Sequence, residues 1–193
     1  MKNLIVATSN PGKLQEMQDY LTGIPWQLQL KPPSLEIEET GTTFRENAIL
    51  KSSLVAKALG EWAIADDSGL AVNALNGRPG IYSARYGQDD GDRIGRLLDE
   101  LGDNLDRRAQ FVCAVAIANP QGEIVLESQG ICVGEILSGA QGENGFGYDP
   151  IFYVPSAKKT FAEMSPEMKR QLSHRGLAFA QILPKLRNYL GSD

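Results

Sequence analysis

Residues 110–118, QFVCAVAIA, form the most continuous apolar run in the chain, and they stop at Asn119-Pro120-Gln121-Gly122 before a second run opens near Glu123. A run of that kind reads as a buried strand, and so short a connection made of turn formers returns the chain antiparallel beside it. A parallel partner would need a crossover of a dozen residues or more. At least one hairpin therefore lies in the sheet, which excludes a doubly wound, all-parallel fold and predicts a mixed, largely antiparallel sheet.

The remaining elements alternate between strand and helix patterns. Asn3 to Thr8 is a short β-branched run that stops at Ser9-Asn10-Pro11-Gly12, after which Leu14, Met17 and Leu21 take up helical spacing, with Asn10 as N-cap and Pro11 as first helical residue. Thr43-Phe44-Arg45-Glu46 is a capping box opening a helix to about Leu59. On that helix Phe44, Ala48 and Val55 share one face, and Asn47, Lys51 and Leu54 another. Trp62 to Ala65 reads as a strand that ends at Asp66-Asp67-Ser68-Gly69, and 93–101 as a helix. A strand over 123–128 is followed by a separate one near 130–136 and a glycine-rich stretch to Gly147. A short helix opens at Ser165-Pro166-Glu167, and a longer one after Ser173 ends or kinks near Pro184. The fold class is α/β, in one domain over 1–193.

Composition narrows the function. With 19 basic and 24 acidic residues the net charge is −5, which argues against a coat for nucleic acid or anionic membrane. The single histidine, His174, excludes chemistry that needs two imidazoles, so any metal must be held by oxygens. Cys113 and Cys132 sit in apolar surroundings without C-x-x-C spacing, which fits a reducing compartment. The apolar run Leu4–Ala7 is too short for a secretory signal or a membrane span, so the expected location is the cytoplasm.

Four places carry candidate chemistry. Thr8-Ser9-Asn10-Pro11-Gly12-Lys13 puts small polar residues, a glycine and a lysine at a strand-to-helix junction, an anion cradle without Walker spacing. Asp66-Asp67, read at the carboxyl end of a strand, are adjacent carboxylates that repel unless a cation such as Mg²⁺ is present, and Glu38 or Glu39 adds a ligand from another direction. Lys51 supplies a fixed positive charge if its helix face points inward. In Gly145-Phe146-Gly147-Tyr148-Asp149 two glycines let an aromatic ring approach a flat ligand, and Lys169, His174 and Arg175 offer donors to an oxopurine edge. Each also has an ordinary reading: a capped turn, turn-forming aspartates, a solvated helix lysine, a loop with a core aromatic, a packing histidine.

Jointly these blocks resemble the inosine/xanthosine triphosphate pyrophosphatases, a family that clears non-standard purine nucleotides. TSNPGK (8–13), EETGTTFRENAILK (38–51), ADDSGL (65–70), PGIYSARY (79–86), GFGYDPIF (145–152) and SHRG (173–176) follow the family's order and approximate spacing. The resemblance implies an elongated, two-lobed α/β fold around a mixed central sheet flanked by helices, commonly a homodimer, hydrolysing ITP, dITP and XTP to monophosphate and pyrophosphate. It also implies that Thr8, Ser9, Asn10, Pro11, Gly12, Lys13 and Lys51 contact phosphates, that Glu39 and Asp67 hold Mg²⁺, and that Ser68 touches substrate. Asp67 would be the proton acceptor, with Asp66 as its replacement or support. Phe146, Gly147, Tyr148, Asp149, Lys169, His174 and Arg175 would lie on the base side. Arg93 and Arg170 stand where the family pattern commonly has asparagine. Two rival classes remain: a non-catalytic nucleotide-binding regulator, which needs no acidic pair, and a general phosphatase, which releases orthophosphate and ignores the base.

Overall fold

The computed structural model describes residues 2–190. In chain order the main elements are β1 (Asn3–Val6), α1 (Pro11–Tyr20), β2 (Gln27–Leu30), α2 (Phe44–Leu59), β3 (Trp62–Val72), α3 (Asp90–Leu101), β4 (Arg108–Ala118), β5 (Ile124–Ile136), β6 (Phe152–Val154), β7 (Lys159–Thr160), α4 (Pro166–Leu172) and α5 (His174–Leu190), with short 3-10 turns between them. The seven strands form one sheet in the order β2-β1-β3-β4-β5-β6-β7. β1 is parallel to β2 and to β3, pairing Leu4 with Leu28 and with Trp62. β6 is antiparallel to both β5 and β7. The sheet is mixed and flanked by helices, as the hairpin after β4 demanded.

Several local readings hold because the capping chemistry is explicit. Asn10 caps α1 by accepting from the Lys13 amide, with Pro11 at the first position. Thr43 and Glu46 close a reciprocal capping box on α2, a device that contributes about 1 kcal/mol. Four expectations need correction. β3 does not stop at Ala65 but runs through Asp66-Asp67-Ser68-Gly69 to Val72, so the two aspartates are mid-strand. β5 is one strand from Ile124 to Ile136, not two. α3 starts at Asp90, capped by Asp89, three residues before Arg93. α5 does not end at Pro184, one of the two readings offered there, but continues past it. Its stripe of Ala178, Phe179, Ile182 and Leu186 is fully buried, and each large apolar side chain so buried contributes about 1.5–3 kcal/mol, enough to offset roughly 3 kcal/mol for an interior proline. The short strands β2, β6 and β7 gave no sequence signal of their own.

The chain divides into two compact units. The first comprises the chain up to Asp67, Cys113–Gln129, and the chain from Ala178 onward. Its sheet is covered on both faces, and the alternation is visible in the packing: Leu4, Val6, Ile64, Cys113 and Val115 pack with Met17 of α1 and Phe179 of α5. Ile5, Ala7, Ala63 and Ala65 pack with Val55 and Ala56 of α2. The second unit comprises Ser68–Val112 and Gly130–Leu177, with a core of Leu70, Leu97, Phe111, Phe152 and Phe161. Cys113 and Cys132 are both buried free thiols. No helix among the described residues is long and apolar enough to cross a membrane.

Candidate active site

In the first unit, strand geometry sorts the two aspartates. Successive strand residues face opposite sides of a sheet, so Asp66 shares the face of Ile64, toward α1, and Asp67 that of Ala65, toward α2. The contacts follow. Asp66, whose side chain is fully buried, pairs with Lys13 of α1 at 3.3 Å, and the Cys113 thiol lies 3.8 Å from its Oδ2. Asp67 pairs with Lys51 of α2 at 3.5 Å and accepts from Asn47 Nδ2 at 3.1 Å. The adjacent carboxylates thus face opposite sides of the strand, Asp66 against Lys13 and Asp67 against Lys51.

Lys51 is the hinge of the α2 side. Its side chain is only 12% exposed, and Nζ lies 2.7 Å from Glu39 Oε1 as well as against Asp67. The solvated reading of this lysine is thus wrong: the Asn47–Lys51 face of α2 points inward, while Leu54 alone of that row is exposed. Of the two candidate glutamates it is Glu39 that reaches the centre, Glu38 being exposed. Asn47, to which the sequence gave no role, donates to Asp67 and accepts the Gly41 amide at 2.8 Å through Oδ1. A Cβ at Gly41 would lie 2.6 Å from that oxygen, so the approach requires glycine. The i, i+4 spacing of Asn47 and Lys51 was the available signal.

Electrostatics matches this packing. Burial draws the Lys51 ammonium down, but the Asp67, Asp66 and Glu39 carboxylates outweigh it and hold its pKa above the ordinary lysine value. Burial pushes the Asp67 carboxyl up, against the pull of Lys51 and Lys13 and with Glu39 and Asp66 adding to the rise. Around the 8–13 loop the structure modifies the cradle: the Asn10 amide donates to Thr8 Oγ1 and the Lys13 amide to Asn10 Oδ1, so two of its donors are already used within the loop. Lys13 is the cationic part of what remains. Ser9 and Pro11 are exposed, and Gly12 is half-buried.

The donor set suits a hard divalent cation. Glu39 and Asp67 each present an oxygen to one cationic nitrogen, Lys51 Nζ, which shows that the two carboxylates converge on positive charge. No group of three or more histidine, cysteine or acidic side chains among the described residues forms a metal cage. Mg²⁺ needs none, since it takes one or two protein carboxylates and fills its remaining positions with phosphate oxygens and water.

In the second unit the structure gathers the other predicted residues. Arg175 is 2% exposed and donates to Ser68 Oγ at 2.8 Å. Lys169 donates to Asp149 Oδ2 at 2.7 Å, and the same oxygen accepts the Phe146 amide at 2.9 Å. Lys169 Nζ lies 4.9 Å, and the Arg175 guanidinium 6.0 Å, from the Phe146 ring centre, so one aromatic ring meets two cations. Gly145 and Gly147 take positive φ of 80° and 62° on either side of that ring. Tyr148 is buried, donates to the Ser83 carbonyl, and has its hydroxyl pKa raised by burial. His174 opens α5, buried and stacked on Phe111 at 4.6 Å with 12° between planes. Its packing role and its position beside Arg175 are compatible. Phe111 was missed by the sequence reading because it sits in a strand that reads as core throughout.

The molecule is thus an α/β protein with a buried carboxylate–lysine centre in its first unit and a cation-lined aromatic loop in its second. The chain belongs to the Ham1 family, whose model matches residues 4–185. It is 65% identical over 192 residues to a dITP/XTP pyrophosphatase of Nostoc sp., covering 100% of this chain and 98% of that one. It is 59% identical to a dITP/XTP pyrophosphatase of Synechocystis sp., covering 95% and 94%. The solved Ham1 protein of Staphylococcus aureus superposes with a TM-score of 0.87 at 46% identity, over 97% of this chain and 100% of that one.

Proposed function

We propose that this protein is a Mg²⁺-dependent pyrophosphatase of non-standard purine nucleoside triphosphates, converting ITP, dITP and XTP to the monophosphate and pyrophosphate. The observation that carries the proposal is Lys51, buried in a helix yet held between Glu39 and Asp67. A buried lysine shared by two carboxylates serves no packing purpose, but it suits a site that must accept a polyphosphate and a divalent cation together. The family's match over both units, and relatives named for dITP and XTP, support the substrate class. The same resemblance supports a single functional domain over 1–193, a homodimer and a cytoplasmic setting.

Hydrolysis between the α- and β-phosphates requires a positioned water, neutralised anhydride oxygens and a stabilised leaving group. Lys13 and Lys51 bind and neutralise the phosphate chain. Glu39 and Asp67 would hold Mg²⁺, which when bound supplies further neutralisation of the phosphate oxygens and of the departing pyrophosphate. Asn47 fixes the Asp67 carboxylate through Oδ2 and Lys51 faces its Oδ1, and the carboxylate so held accepts the proton of the attacking water as the water oxygen bonds to the α-phosphorus and the bridging oxygen departs with pyrophosphate. Burial, which raises the Asp67 pKa, makes it a better proton acceptor than an exposed carboxylate. Asp66 acts as support, anchoring Lys13.

In the second unit the Phe146 ring takes the face of the purine, and His174 and Arg175 donate to the 6-oxo group, which adenine replaces with a donor. Asp67→Asn is expected to lower kcat for ITP by two or more orders of magnitude while ITP binding, measured by calorimetry, survives. Near-normal turnover in that variant rejects the assignment.

A further inference from the structure

The loop around Phe146 is held from a place that the sequence motifs do not include. The Gly147 amide donates to Asp90 Oδ2 at 2.6 Å, across 57 positions of sequence. The other oxygen of Asp90 accepts from Arg93 Nη1, also at 2.6 Å. Arg93 Nε is buried without a hydrogen-bond partner in the protein, so part of the guanidinium has been drawn out of water for this contact. One residue earlier in the chain, the Phe146 amide is held by Asp149.

These two contacts have a geometric result. A peptide unit is planar, so the orientation of the planes before and after a residue determines its φ and ψ. Asp149 fixes the plane that ends at the Phe146 nitrogen, and Asp90 the plane that ends at the Gly147 nitrogen. Together they fix the Phe146 backbone and the root from which its ring projects toward Lys169 and Arg175. Without Asp90, Gly147 at φ 62° has no side chain to restrict it, and the ring loses one of its two anchors.

We propose that Asp90, braced by Arg93, is a positioning residue that sets purine preference by holding the Phe146–Gly147 segment in its ligand-ready conformation. This rests on the reading of Phe146 as the purine contact. The test combines hydrogen exchange at the Gly147 amide, by NMR, with kcat and KM for ITP and ATP. Asp90→Ala is expected to speed Gly147 exchange about tenfold and to lower the ITP-over-ATP ratio of kcat/KM about tenfold, chiefly through KM, the scale of one lost charge-assisted hydrogen bond. Arg93→Ala should move both readouts less, and Arg93→Lys should restore them. Asp92→Ala is the control: it removes another first-turn carboxylate of α3, one bonded to the Gln88 amide and not to the loop, and should move neither. An equal effect of Asp92→Ala, or an unchanged purine ratio in Asp90→Ala, overturns the inference. A wild-type protein that hydrolyses ITP and ATP alike instead sinks the underlying purine reading, and the specificity role with it.

Discussion

Arg175 is the largest fully buried side chain among the described residues, and a guanidinium so enclosed must be committed to something. Its donation to Ser68 Oγ and its place over the Phe146 ring give it two commitments, and the proposed function adds the purine 6-oxo group as the third. Arg175→Ala is therefore expected to lower the ITP-over-ATP ratio of kcat/KM at least tenfold, together with a lower melting temperature from the cavity it leaves. An unchanged ratio would remove the O6 role even if stability fell. At this scale the sequence was most informative where residue type and spacing are chemically unusual: Lys51 four positions after Asn47, and Lys169 ahead of His174-Arg175. It did not show which way Lys51 points, because the α2 face carrying it also carries exposed Leu54, and a helix lysine is solvated unless tertiary partners outweigh its hydration. Here three carboxylates do.

Among the elements, β3 explains both what was legible and what was hidden. Asp, Ser and Gly are poor strand formers and good turn formers, so local propensity ended the strand at Ala65. Tertiary pairing within the sheet overrode it, and the conflict between local preference and fold falls at the candidate site, where such conflicts concentrate. The capped helix starts were readable because their signals are local, whereas β2, β6 and β7 are two to four residues long and exist through their neighbours. Helix α3 carries a further pH-sensitive feature: Glu100 accepts from Tyr86 at 2.6 Å and from Arg96 at 2.9 Å, and the Tyr86 hydroxyl followed by the Arg96 guanidinium hold its carboxyl below the ordinary glutamate value. A depressed carboxylate pKa contributes stability that is present above the unfolded value, near 4.5, and is lost as pH falls through the folded value. Melting temperature should thus drop as pH falls below about 4.5, and Glu100→Gln should flatten this part of the acid dependence; an identical acid profile in the variant would contradict the linkage.

Over the whole molecule, the chemistry divides as the two units do. The first unit holds the charges: Lys13 with Asp66, and Lys51 with Glu39 and Asp67. The second holds the aromatic loop around Phe146 with the Lys169 and Arg175 cations beside it, and Asp90 as an anchor outside the motif. The hairpin after β4 was enough to exclude a parallel fold, and the resemblance supplied the family, but the sorting of Asp66 and Asp67 to opposite faces required the sheet itself. The central claim is that the charged centre cuts a purine nucleoside triphosphate between its α- and β-phosphates. It is tested most directly by supplying ITP, XTP, dITP, GTP and ATP with Mg²⁺ and separating pyrophosphate from orthophosphate among the products. The expected result is IMP plus pyrophosphate from ITP with ATP nearly untouched; orthophosphate released whatever the base, or tight binding without turnover, would contradict it.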